Sequence, residues 1–142
     1  MELCDVKNNS ISYWNDQLIN ELKRIKMPNL LSMCLVGSHR SATHLCSIHD
    51  VDIVCIFSKF NAQEYISLSS HMNDLAKVLS TSNIVVSIEM RSGPLKPEIP
   101  TNGLCHIQLH TLSYGINDWC QALKYPGCLE WIHNNYHIFG TT

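Results

Sequence analysis

The chain contains no apolar run approaching the ~18 residues that mark a membrane-spanning helix. Only 15% of its 142 residues are charged. The net charge of -2 brings neither an overall basic field for nucleic acid nor an acidic tail, so any contact with a polyanion is local. The opening "MELCDVKNNSISYW" lacks the basic-then-apolar design of a secretory signal. There are seven cysteines, an odd number without the regular spacing of a disulfide framework, and none forms a Cys-x-x-Cys pair. That pattern predicts a reduced, cytoplasmic protein. No internal repeat, low-complexity segment or linker divides the sequence, so residues 1–142 read as one domain. The 45% hydrophobic content is enough to bury a core of its own.

Periodicity then sets out the elements. Trp14, Leu18, Leu22 and Ile25 recur at helical spacing, with Ser12 as the expected N-cap and Pro28 closing the segment. "LSMCLV" (31–36) reads as a short buried strand, and "DVDIVCIF" (50–57) as a second one rich in β-branched and aromatic residues. Asn61 and Glu64 have capping-box spacing, and Tyr65, Leu68, Met72, Leu75 and Leu79 follow as one stripe, which predicts a long helix over 61–80. "NIVVSIEMR" and "LCHIQLHTL" are the third and fourth strands, and "GINDWCQALKY" is a short helix. Strands interleaved with helices predict an α/β (α+β) fold, a small mixed sheet with helices packed on one face.

Within this outline "HDVDIVCIF" places two carboxylates where a strand should be entering a core. Side chains alternate across a strand, so Asp50 and Asp52 share one face while Val51, Ile53 and Cys55 take the other. Like charges held together gain stability only when something positive lies between them, and carboxylates so placed suit divalent cations. Upstream, Gly37-Ser38 closes the first strand, where free backbone N–H groups and a small hydroxyl suit a phosphate.

Gly37-Ser38, eleven residues, then Asp50-Val51-Asp52 ahead of "IVCIF" resembles the signature of the DNA polymerase β-like nucleotidyltransferase superfamily, over residues 31–90. The resemblance implies that the Gly-Ser turn holds nucleotide phosphates and that the aspartates hold two magnesium ions. It further implies a third carboxylate on a neighbouring strand, matched here by Glu89. Asp50, Asp52 and Glu89 are then the expected metal ligands and catalytic residues, with Glu89 taking the acceptor proton. Gly37, Ser38 and Arg40 are the expected nucleotide-binding residues, and Arg91 and Lys96 are further candidates for phosphate or carboxylate contact. The implied reaction transfers a nucleoside monophosphate from a nucleoside triphosphate, ATP foremost, to a hydroxyl of a small molecule or a protein.

A minimal domain of this kind implies a partner, another copy or a different protein, that finishes the pocket, and the aromatic tail "CLEWIHNNYHIFG" together with the first helix is the expected docking surface. An alternative from another class is a catalytically silent module of the same fold, acting as a regulatory or antitoxin-like subunit. A rival chemical signal is zinc, held by His44, Cys46 and His49 with Cys105, His106 and His110. Structural zinc sites favour paired short spacings, which this sequence lacks. His106, Gln108 and His110 alternate with Cys105, Ile107 and Leu109, and so share one strand face toward solvent or substrate.

Overall fold

The computed structural model describes residues 11–36, 48–90, 105–122 and 136–139. Among the described residues three helices, α1 (Ile11–Lys23), α2 (Ala62–Leu79) and α3 (Ile116–Ala122), accompany five strands. These are β1 (Leu30–Val36), β2 (Asp50–Phe57), β3 (Ile84–Glu89), β4 (Cys105–Gly115) and β5 (Tyr136–Phe139). They form one mixed sheet in the order β3-β4-β2-β1-β5. β1 is antiparallel to β2 and to β5, while β4 is parallel to both of its neighbours.

The main core lies between the sheet and the two long helices. Trp14, Leu18 and Leu22 of α1 and Leu68, Met72, Leu75 and Leu79 of α2 pack there against Val51, Ile53, Cys55 and Phe57 of β2 and Ile107 and Leu109 of β4. Each fully buried aliphatic side chain of this set contributes roughly 1.5–3 kcal/mol. α3 covers the opposite face, where Trp119 joins Cys34, Val36, Val54, Ile56 and Leu112. The two long helices share one face as expected, but the short one covers the other, so the helices are not all on one side of the sheet.

Local details refine the expected boundaries. Ser12 lies inside α1 and does not cap it. The helix ends at Lys23, where Arg24 and Ile25 donate three-residue-turn hydrogen bonds to Glu21 and Leu22, well before Pro28. At α2 the capping box is complete: the Asn61 side chain accepts from the Gln63 and Glu64 amides, and the Glu64 carboxylate accepts from the Asn61 amide. Glu64 also accepts from the Asn29 side chain, and the Asn29 carbonyl accepts from the Ser58 amide at 2.8 Å. One carboxylate thus ties the start of α2 to the turns flanking β1 and β2. Tyr65 departs from the predicted stripe: it is 43% exposed and makes an edge contact with Phe60.

Two further expectations are revised. Tyr136–Phe139, in the segment read as a docking tail, is paired to the protein's own β1. The reduced state expected of the cysteines holds for Cys34 and Cys55, which are free and buried, but Cys105 is disulfide-bonded. Among the described residues no helix is long and apolar enough to cross a membrane.

Candidate metal centre

β2 and β4 run parallel and in register from Asp50 opposite Gln108 to Phe57 opposite Gly115, so their same-face residues form rows across the sheet. The face turned away from α1 and α2 changes character along these rows. Its second half is apolar, with Val54, Ile56 and Leu112 beneath Trp119. Its first half is polar, carrying Asp50 and Asp52 from β2 and His106, Gln108 and His110 from β4. Because the strands are parallel, both polar halves fall at the same end of the sheet.

One row crosses four strands: Val36 opposite Asp52, Asp52 opposite His110, and His110 opposite Glu89. Within it, His110 Nδ1 and Asp52 Oδ1 are 3.2 Å apart. With Asp52 ionised, the Nδ1–H tautomer donates this bond. His110 is only 4% exposed, while the Asp52 side chain keeps 22%. Asp50 sits one row earlier on the same face. The ligand atoms of Asp50, Asp52 and His110 all lie within 4.8 Å of one another, and among the described residues this is the group able to hold a metal ion.

Burial pushes the Asp52 carboxyl above its ordinary range, an effect partly offset by the hydrogen bond from His110 and by its charge. A carboxylate in this position is held away from water beside a second carboxylate, an arrangement that a cation stabilises directly.

Glu89 faces the same side and is nearly as buried as His110, at 8% exposure. It was expected on the strand next to the aspartates. Instead β4 lies between β2 and β3, so Glu89 is two strands from Asp52, roughly 10 Å of backbone. His110 occupies the place assigned to a third carboxylate, and Glu89 is the next residue outward. His106, also on this face, bonds through Nε2 to Ser87 Oγ at 2.8 Å, and Gln108 is buried.

The zinc set does not assemble among the described residues. His49 is exposed, Cys105 is disulfide-bonded, His106 is engaged by Ser87, and only His110 joins the metal-capable group. His44 and Cys46 lie outside the described residues, as do Gly37, Ser38, Arg40, Arg91 and Lys96. β1 ends at Val36, which is paired with Asp52 and immediately precedes Gly37-Ser38 in the sequence.

Sequence reasoning found Asp50 and Asp52 and placed His110 on one strand face, but it did not bring the two together. The alternation in "HIQLH" carried that part of the signal, and the strand order was the missing piece. No family model matches the chain, and no curated protein or solved structure matches it.

Proposed function

We propose that this protein is a metal-dependent nucleotidyltransferase, moving a nucleoside monophosphate from a nucleoside triphosphate to an acceptor hydroxyl. One observation carries the reading: two strand-borne carboxylates and a buried imidazole converge at the polar end of the sheet, beside the strand that leads into Gly37-Ser38. The donor set fits a divalent cation, because Asp50, Asp52 and His110 supply oxygen and nitrogen atoms already close enough to share one ion. Asp50 and Asp52 are also the residues that would hold a second ion of the proposed pair, which would add charge neutralisation at the phosphates. When bound, such ions neutralise triphosphate charge and make an acceptor hydroxyl easier to deprotonate.

The chain's own residues do the rest of the work. Asp50 and Asp52, fixed by the β2–β4 ladder, hold the ligand geometry without needing to reorganise. In this reading Gly37 and Ser38 hold the phosphates. Glu89, on the same face beyond His110, keeps the role of proton acceptor for the hydroxyl. The apolar half of the face, Val54, Ile56, Leu112 and Trp119, borders the polar half and limits water on that side. The acceptor is a small molecule or a protein, and a partner subunit or that acceptor itself closes the open side.

Calorimetry with ATP and a divalent cation tests the reading. Metal-dependent nucleotide binding that disappears in Asp50→Ala is the expected result. Absence of nucleotide binding in the native protein would favour the silent-module alternative.

A further inference from the structure

We infer that the Asp50–Asp52–His110 site selects a divalent transition-metal ion over magnesium, and that the His110 nitrogen is the selecting ligand. The inference rests on the metal-bearing reading of this site given above, and it concerns which ion the site holds.

Magnesium is a hard cation that keeps its waters and binds through carboxylates and phosphates, whereas imidazole is a ligand for softer first-row ions. An all-carboxylate site suits magnesium. Here one donor in three is a histidine, and it is the most buried of the three side chains, at 4% exposure for the residue as a whole. A flexible surface histidine could swing away and leave an oxygen-only pair. His110 sits on an interior strand of the sheet, laddered to β2 on one side and β3 on the other, and is buried.

The geometry agrees. Ions bound at about 2.1 Å set adjacent octahedral ligands roughly 3 Å apart. His110 Nδ1 and Asp52 Oδ1 are already 3.2 Å apart, so the hydrogen-bonded pair has the spacing of one edge of a coordination shell. With the imidazole proton on Nε2 instead of Nδ1, the Nδ1 lone pair is free, and His110 and Asp52 would both be available to hold the same ion. Asp50, one row away on the same face, supplies a third ligand atom.

The test uses the full chain and manganese as a spectroscopic probe. Electron spin-echo measurements on the manganese-loaded protein should show coupling to an imidazole nitrogen, and that coupling should vanish in His110→Asp. Calorimetric competition should show manganese bound at least about tenfold tighter than magnesium, a difference of 1.4 kcal/mol. His110→Asp, which substitutes oxygen for nitrogen, should erase that preference. His110→Gln, closer in volume, serves if the aspartate variant does not fold. Equal affinity for the two ions, or nitrogen coupling that persists in a folded His110 variant, overturns the inference. A magnesium-preferring site that still binds nucleotide would remove this inference and leave nucleotidyl transfer standing. Manganese selectivity without nucleotide binding would do the reverse.

Discussion

Asp52 and His110 lie opposite each other on parallel strands, fifty-eight residues apart in the chain and 3.2 Å apart at Oδ1 and Nδ1. The contact joins the middle of the molecule to its fourth strand. Burial makes Asp52 a group whose ionisation costs the fold, a cost the His110 contact only partly offsets.

Asp52→Asn tests that cost. Its carboxyl is raised above the unfolded value by burial, so its contribution to stability is complete below the unfolded pKa and is lost as pH rises through the raised one. The variant should therefore melt higher than the native protein at pH 7, and this advantage should shrink toward pH 3.5. Thermal melts of the metal-free proteins across that range check the sign. An advantage that grows on acidification would contradict it.

Glu64 should behave in the opposite way. The Asn29 side-chain hydrogen bond holds its carboxyl below the ordinary range, so the stability it adds is present above the unfolded pKa and is lost as pH falls through the lowered one. Glu64→Gln should lower the melting temperature at pH 7 and converge with the native protein in acid. Asn61→Ala, which removes the other half of the capping box, should cost roughly 0.5–2 kcal/mol in denaturant titration.

Cys34 and Cys55 should resist alkylation in the folded state. Burial pushes the Cys34 thiol up to about 11 and the Cys55 thiol still further, leaving little thiolate at pH 8. Peptide mapping after brief iodoacetamide treatment should find both unmodified in native protein and labelled in denaturant. Rapid labelling of Cys55 without unfolding would show that the sheet opens locally.

Gly37→Val probes the phosphate side of the proposed site. A branched side chain there blocks close backbone approach to a phosphate, so triphosphate affinity should fall by about tenfold or more, or 1.4 kcal/mol, with the melting temperature little changed. Unchanged affinity would place the nucleotide elsewhere.

Much of this architecture is legible locally. β2 spans Asp50–Phe57 as its β-branched run predicts, and the Asn61–Glu64 box marks the start of α2, because both signals are carried by neighbouring residues. The alternation of Asp50 and Asp52 against Val51 and Ile53 likewise fixes their face before any tertiary contact is known. What local pattern does not carry is which strand lies beside which. Glu89 and His110 are equally plausible third ligands by alternation alone, and only the insertion of β4 between β2 and β3 distinguishes them. β5 is four residues long and pairs with β1, a strand about a hundred residues earlier, a pairing that no local pattern announces.

The position of β4 also bears on how the protein is made. During synthesis β1, β2, α2 and β3 all leave the ribosome before Cys105, yet among the described residues β3 pairs only with β4. A nascent chain halted before that strand holds a β1–β2 hairpin and a detached β3, and each presents unpaired amides and carbonyls. Translation of the segment from Cys105 to Gly115 brings His110 to Asp52 and seals both edges in one step. The group able to hold a metal ion and the junction of β2 with β3 therefore both wait for β4, the fourth of the five described strands to be made.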